Sequence, residues 1–217
     1  MASPRPAPEF VLTEIERDAL TELVNMGMGR AARNLSRMIR EQVELSIPRT
    51  EILSRVGAAD HLSRDGQLAL VAVGQDFEGS FSGRALLLFP ENNSLALARA
   101  VLDDGLSLEE IVDLEQEALA EIGNVVLNGC LVILANTLER SLNMSLPRVL
   151  RGDGRFLFLG TDGDPDELVL FLRIEFAVSS RCIEGYIALL MDLPSLSEVR
   201  QLVRDVIHDL ENGPGAE

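Results

Sequence analysis

The chain alternates between two long segments with apolar residues at helical spacing and shorter runs in which most residues are apolar. The helical segments extend from residue 13 to about 41 and from 107 to about 142. Each begins with Thr or Ser followed three residues later by Glu, a capping box that satisfies free backbone N–H groups in a first helical turn. Two long amphipathic helices are therefore predicted, with Ile15 and Met26 on the apolar stripe of the first.

Three apolar runs typical of β-strands follow each long helix. In the first half they are 43–53, 67–76 and 80–89, the last two joined in a hairpin at 77–79. In the second half they are 144–151, extended by 156–159, then 168–179 and 181–191. A shorter helix closes each half, at 94–102 and 196–210.

Four residues of the first half recur in the second half at a constant offset of 99 positions. They are Glu22, Asn25, Pro48 and Arg49, matched by Glu121, Asn124, Pro147 and Arg148. On a helix, a Glu and an Asn three residues apart lie on the same face. A single Glu-x-x-Asn carries little information, but two copies, each 23 positions before the same proline, indicate an internal duplication.

The duplication predicts an α+β fold with pseudo-two-fold symmetry, in which each half is a long helix, three strands and a shorter helix. Neither half has a second layer to cover both faces of its own sheet. We therefore expect one continuous, mostly antiparallel sheet with helices over it, the two long helices running antiparallel.

The boundaries of the domain follow from the same pattern. Repeat 1 is placed at about 12–103 and repeat 2 at about 107–210, within a single domain over 10–210. Residues 1–9 and 211–217 are expected to be disordered tails. The spacing of Phe89-Pro90 against Leu193-Pro194 places five extra residues of the second repeat in the acidic turn 162–166.

Proline and glycine positions add local expectations. Pro48 has no N–H to donate to a sheet, so its strand should lie at an edge or be bulged there. Gly27 and Gly29 lie inside a helix, where each costs about 1 kcal/mol relative to Ala. A close approach to the helix backbone, either by the other half of the chain or by a bound protein, would account for them, and both explanations stay open.

Charge and composition exclude several classes of function. The formal net charge is −16 over 217 residues, which disfavours nucleic acid and anionic membrane surfaces as partners. No apolar run is expected to reach the roughly 20 residues that span a bilayer. The Pro-rich start lacks the apolar core of a signal peptide, so a cytoplasmic protein is expected. Cys130 and Cys182 are interpreted as buried free thiols, in preference to a disulfide.

Other candidate sites are weak. The Gly-rich segment 27–32 does not follow a strand, as a phosphate-binding loop would. The acidic turn 162–166 contains a proline and lacks the closing Glu of a calcium loop. His61 and His208 are isolated from any Cys or second His in the sequence, so no metal site is predicted.

The duplicated pattern extends one turn further, because Asp18 precedes Glu22 by four residues and Glu117 precedes Glu121 by four. With this residue the pattern resembles the motif of the CheC/CheX/FliY phosphatase family of chemotaxis: Asp or Ser, three residues, Glu, two residues, Asn, and a proline 23 positions later. The second copy departs from it with Glu117 in place of Asp or Ser. Two copies in one chain, with no further domain expected after Leu210, resemble CheC most.

The resemblance implies hydrolysis of the aspartyl phosphate of a CheY-like response regulator. It assigns positioning of the attacking water to Asn25 and Asn124, and contact with the receiver's lysine to Glu22 and Glu121. The implied docking surface is supported by Asp18, Glu117, Gly27 and Gly29. Both Asn side chains should then be exposed. No cofactor of the chain's own is implied, since the receiver carries Mg²⁺, and the expected partners of this monomer are the phosphorylated receiver and CheD.

Two other functions are compatible with the same helix faces. A non-enzymatic adaptor would hold a receiver or CheD without hydrolysis. A structural switch component would resemble the FliM middle domain, which shares the fold but lacks the Glu/Asn pair. The intact Glu and Asn in both copies favour the enzyme.

Overall fold

A computed structural model describes residues 10–39, 41–64, 69–102, 105–160, 164–178 and 181–212. Within these ranges it leaves aside the side chains of 39, 46–49, 63–64, 175–178, 181–184 and 210–212. The disordered tails predicted at 1–9 and 213–217 lie outside the described residues, whereas 211 and 212 belong to the last helix.

The elements follow the predicted repeated order, with one additional short helix in each repeat. The α-helices of the described chain are α1 (Glu14–Ile39), α2 (Arg55–Arg64), α3 (Ser94–Val101), α4 (Leu108–Thr137), α5 (Gly154–Leu159) and α6 (Leu193–Asn212). Its strands are β1 (Val43–Ser54), β2 (Leu70–Gly79), β3 (Gly83–Pro90), β4 (Leu142–Met144), β5 (Arg148–Gly152), β6 (Leu168–Val178) and β7 (Arg181–Leu190). Both long helices are confirmed, and both capping boxes form.

The strands form one sheet in the order β1-β6-β7-β3-β2, with β4 and β5 both paired to the outer side of β2. Every strand pair that the structure describes is antiparallel. The first strand of each repeat pairs with the second strand of the other, β1 with β6 and β5 with β2. The pseudo-two-fold axis therefore passes between β3 and β7, normal to the sheet, and relates α1 and α4 in opposite directions. The predicted fold class is confirmed.

Helices cover both faces of the sheet, and the two short helices on the second face, α2 and α5, were not predicted. α1, α3, α4 and α6 pack on one face, and α2 and α5 pack on the other. The prediction that 156–159 extends a strand was wrong, because these residues belong to α5. Asp153 caps this helix by accepting a hydrogen bond from the Phe156 N–H at 2.7 Å, and Leu157 and Phe158 are buried against the sheet. Three turns of helix or fewer leave too short a periodic pattern to separate from a strand.

Two other boundary predictions were wrong. The turn between β2 and β3 lies at 80–82 and not at 77–79, because Phe77–Gly79 remain in β2 and pair with β4. The five extra residues are not in the acidic turn, because the segment that contains this turn is no longer than its counterpart in the first repeat. From the start of α5 to the start of β6 there are 14 residues, and from the start of α2 to the start of β2 there are 15. Pro90 ends a strand and Pro194 lies in a helix, so the two prolines are not counterparts.

The proline of each motif lies at a one-residue bulge. In β1, an edge strand, the register against β6 shifts by one residue between Ser46 and Arg49. The register against β2 shifts equally between Met144 and Arg148, where the gap around Pro147 separates β4 from β5. The prediction that Pro48 requires an edge or a bulge is confirmed in both respects.

The two long helices touch through glycine backbone. A Cβ added to Gly27 would lie 2.4 Å from the Gly129 carbonyl oxygen, so the close approach there is made by the other half of the chain. A Cβ at Gly29 would meet only the Arg33 Nη1, at 3.8 Å, so helix packing does not account for this second glycine.

α4 is more apolar than the sequence analysis anticipated. By length and composition alone it could cross a membrane. In the fold, however, 56% of its most apolar stretch is buried, and residues such as Ile122, Val126 and Leu127 belong to the core between α4 and the sheet. The apolar character is therefore accounted for by internal packing.

Glu16 joins the start of α1 to α6. Its carboxylate, only 4% exposed, accepts hydrogen bonds from the Thr13 N–H at 2.8 Å, from Arg200 Nε at 3.1 Å and from Arg204. Burial alone would raise the pKa of Glu16, but the Thr13 N–H and the guanidinium groups of Arg204 and Arg200 lower it from 4.5 to about 2.

Gly27→Ala should destabilise the protein, whereas Gly29→Ala should not. The added methyl at Gly27 must displace the Gly129 backbone, and overpacking of this kind costs about 1–3 kcal/mol. At Gly29 the methyl has room, and the gain in helix propensity is about 1 kcal/mol. Urea denaturation of both variants gives the two free energies of unfolding, and equal effects would contradict the backbone contact.

Glu16→Gln should lower the free energy of unfolding by about 2 kcal/mol at pH 7, the range of hydrogen bonds to a charged group. Because the folded-state pKa is depressed, the stabilisation is complete above about pH 4.5 and is lost as the pH falls towards 2. Unfolding of the wild type and the variant between pH 7 and 2.5 should show the difference shrinking. A constant difference would show that the charge of Glu16 is not responsible.

Candidate functional site

The two predicted motifs occupy corresponding faces of α1 and α4. On α1 the side chains of Asp18 and Glu22 are exposed and that of Asn25 is half-buried. On α4 the pattern repeats, with Glu117 and Glu121 exposed and Asn124 half-buried. The expectation that both Asn side chains are exposed is thus met only in part, because each amide is half-buried whereas the carboxylates of its motif are exposed.

Among the residues that the structure describes, none pairs with the glutamates of the two motifs. Within the described chain, neither Glu22 nor Glu121 makes a hydrogen bond or an ion pair. Asp18 and Glu117 are likewise without an ion pair among these residues. Four unpaired carboxylates on two helix faces form a surface that suits a cationic group of another molecule.

Asn124 is held by two other amide side chains. Asn128 Nδ2, one helical turn further along α4, donates to Asn124 Oδ1 at 2.7 Å. Gln75 Nε2, on β2, donates to the same oxygen at 3.3 Å. Both lone pairs of the Asn124 carbonyl are therefore engaged, whereas its Nδ2 makes no hydrogen bond to the described residues.

The proline bulge supplies the third support. Gln75 Nε2 also donates to the Ser145 carbonyl at 3.1 Å. Ser145 is fixed in turn by Asp76, whose N–H donates to its hydroxyl and whose carbonyl accepts its N–H, each at 2.9 Å. Ser145 lies two residues before Pro147, in the gap between β4 and β5. The spacing between Asn and Pro in the motif thus brings the bulged backbone under the helix that carries Asn124.

The first site lacks these amide partners. In the strand register, Arg49 lies opposite Arg173, and its counterpart Arg148 lies opposite Gly74. The residue that follows Gly74, Gln75, therefore corresponds to the residue that follows Arg173, Ile174. At the constant offset of 99, Asn128 corresponds to Gly29. Neither side chain at the first site can donate a hydrogen bond, so support for Asn25 must come from other groups.

A different polar contact lies beside the first motif. Thr21 Oγ1 and Thr50 Oγ1 are hydrogen bonded at 2.8 Å, which ties α1 to the edge strand β1. The counterparts at the offset of 99 are Ala120 and Val149. An open groove of about 530 Å³ runs here between α1 and β1, and Asp18 lines it.

Two apolar side chains of α1 are exposed, contrary to their place on the predicted apolar stripe. Ile15 is 62% exposed and Met26 is 54% exposed. Met26 is four residues after Glu22 and therefore lies on the same helix face. The exposed face of α1 thus combines carboxylates with apolar side chains, a composition suited to protein contact.

Among the described side chains, neither Cys130 nor His61 offers a nucleophile beside the two motifs. Cys130 is free and buried, and burial raises the pKa of its thiol to about 12, so this half of the cysteine prediction is confirmed. The side chain of Cys182 lies outside those described. His61, on α2, packs edge-on against Phe171 with ring centroids 5.4 Å apart, on the face of the sheet opposite the two motifs.

Sequence reasoning missed Gln75, Asn128 and Ser145. The sequence did contain a signal for Gln75, because this amide comes soon after the buried, apolar residues Leu70 to Val73 of the same strand. Asn128 also follows Asn124 by four residues, one helical turn. The role of Ser145 depends on the bulge and could not be obtained from spacing alone.

Both the motif and the fold of this chain are similar to those of known proteins. The family model described as the CheC-like family matches residues 15–52, which contain Asp18, Glu22, Asn25 and Pro48. The chain is 24% identical over 209 residues, 95% of its length, to the flagellar motor switch phosphatase FliY of Bacillus subtilis. It is 21% identical over 141 residues to the CheY-P phosphatase CheC of the same organism, covering 64% of this chain and 67% of that one. The predicted resemblance to the CheC/CheX/FliY family is confirmed.

The FliY relative of Bacillus subtilis is much longer than this chain. The chain spans 52% of that relative, about half of its length. Among solved structures, FliY of Thermotoga maritima matches with a TM-score of 0.73 and 18% identity, covering 91% of this chain and all of that one. At this identity the likeness shows the fold alone. A greater similarity to CheC than to FliY stays a prediction.

Proposed function

We propose that the chain is a phosphatase that hydrolyses the aspartyl phosphate of a CheY-like receiver domain in the cytoplasm. The observation that carries the proposal is the repeated pairing of an unpartnered, exposed Glu with a half-buried Asn on the faces of α1 and α4. Support also comes from the relatives, two of which are named as phosphatases, one of them for CheY-P.

The chemistry of an acyl phosphate suits an amide and a carboxylate. Phosphoryl transfer to water needs mainly an in-line water and stabilisation of the charge on the phosphoryl oxygens. A receiver domain brings the Mg²⁺ and the lysine that contribute to this stabilisation. In the proposal, Asn25 and Asn124 position the water, because an amide forms directed hydrogen bonds without titrating near neutral pH.

The glutamates fix the register of docking. Glu22 and Glu121 are exposed and make no ion pair with the described residues, so each can pair with the receiver's lysine without losing such a contact. Asp18 and Glu117 extend the same acidic surface by one turn, and Met26 adds apolar area beside Glu22. CheD is the second partner in the proposal, and the chain acts as a monomer.

Substitution of both amides should abolish hydrolysis. Asn25→Ala and Asn124→Ala should each remove part of the rate, and the activity of each altered site should fall about 100-fold, the equivalent of about 2.7 kcal/mol. The double variant should still bind the phosphorylated receiver, since Glu22 and Glu121 remain. The measurement is steady-state phosphate release together with receiver binding.

Matched controls for these substitutions are Asn34→Ala on α1 and Asn136→Ala on α4, two exposed amides further along the same helices. Both should retain the wild-type rate. If the double variant of Asn25 and Asn124 hydrolyses the receiver phosphate normally, these amides do not carry the chemistry. Binding of the receiver by a wild-type chain that never accelerates hydrolysis would identify the adaptor instead.

Activity should require a divalent ion only through the receiver. We expect phosphate release from a phosphorylated receiver to stop when EDTA removes Mg²⁺, and the chain alone to leave p-nitrophenyl phosphate intact with Mg²⁺ present. The measurement is phosphate release with and without receiver protein. Turnover of the small ester without a receiver would contradict the proposed division of labour.

A further inference from the structure

We infer that Gln75 and Asn128 are positioning residues that lock the Asn124 amide in one orientation, so that the second site presents a fixed N–H donor. This inference rests on the proposed function for its catalytic consequence, but the fixed amide can be observed independently. It also makes the two sites different: the counterparts of Gln75 and Asn128 at the first site are Ile174 and Gly29, which cannot hold Asn25 in the same way.

The orientation follows from one unambiguous acceptor. The Ser145 backbone carbonyl can only accept, so the Gln75 atom 3.1 Å from it must be Nε2. The same Nε2 then donates to Asn124, which must turn its Oδ1 towards it. With Oδ1 so placed, Asn128 must offer its Nδ2 at 2.7 Å. A flip of any amide would place two donors or two acceptors against each other.

The burial of Gln75 supports its role in orienting the Asn124 amide. Gln75 is 2% exposed, and its Oε1 has no hydrogen-bond partner among the described groups. A buried amide with an unsatisfied oxygen is destabilising, and an apolar residue of the same shape would fit this strand better. Stability therefore does not explain the glutamine, while a role in orienting Asn124 does.

The saturated carbonyl limits what Asn124 can do. Both lone pairs of Oδ1 are taken by Gln75 and Asn128, which leaves Nδ2 as the atom available to a ligand. The second site would thus donate a hydrogen bond to the attacking water or to a phosphoryl oxygen, and its amide oxygen would not accept a hydrogen bond from the water. The preorganised donor would act on kcat, whereas the longer Glu117 affects docking and therefore KM.

The kinetic test isolates each site. In an Asn25→Ala background only the second site acts, and Gln75→Met should lower kcat for the phosphorylated receiver about tenfold with KM within twofold. In an Asn124→Ala background, where the first site acts, the same substitution should have an effect of less than twofold. Asn128→Ala, on a half-buried helical position that favours Ala, provides a second variant with the same expected pattern.

Equal losses in the two backgrounds would mean that Gln75 acts only on the fold, and an unchanged kcat for both variants in the Asn25→Ala background would overturn the inference. Thermal unfolding of each variant checks that it is folded. If the wild type shows no hydrolysis at all, the proposed function fails, and the amide can still be tested by the NMR measurement below.

The ¹⁵N relaxation of the Asn124 side-chain NH₂ group gives that separate readout. The signal is assigned by its absence from the Asn124→Ala spectrum, with Asn136 as the exposed reference on the same helix. We expect Asn124 to be rigid in the wild type and mobile in Gln75→Met and in Asn128→Ala. An Asn124 amide as mobile as that of Asn136 in the wild type would overturn the inference whatever the activity.

Discussion

Neither half of this chain can complete its own sheet, and the rest of the structure depends on that constraint. β1 of the first repeat hydrogen bonds to β6 of the second, and β5 of the second bonds to β2 of the first. Each repeat thus covers an edge that the other would leave open, and open edges are prone to unwanted pairing. The exchange also places α1 and α4 side by side over the dyad, with both Glu/Asn pairs on one layer of the fold.

The proline of the motif has a structural meaning that its spacing alone did not reveal. In both repeats it marks a one-residue bulge in the strand after the long helix. At the second site the bulge presents the Ser145 carbonyl to Gln75, and Gln75 reaches Asn124. Pro147, 23 positions after Asn124, therefore acts on the amide through the bulge, by way of the two hydrogen bonds that Gln75 donates to Ser145 and to Asn124. The motif describes a folded unit of helix, bulge and neighbouring strand.

The sequence predicted most where a pattern was long or repeated. α1 and α4 span many turns, and the constant offset of 99 relates the motif of one helix to that of the other. α2 and α5 were missed because so few turns give little periodicity, and the second helical layer was missed with them. Ile15 and Met26 were placed on an apolar stripe that they do not join, since an exposed apolar residue and a core residue look alike in sequence. The support of Asn124 comes from three separate segments, so no local pattern could show it.

The contact between α1 and α4 records how far the two repeats have diverged. Gly27 meets Gly129, but the counterpart of Gly27 is Val126, and the counterpart of Gly129 is Arg30. In a hypothetical dimer of two first repeats, Gly27 would face the long side chain of Arg30. In a dimer of two second repeats, Val126 would face Gly129. The close backbone approach exists only in the mixed pairing. After duplication the halves have become complementary to each other and have ceased to be interchangeable.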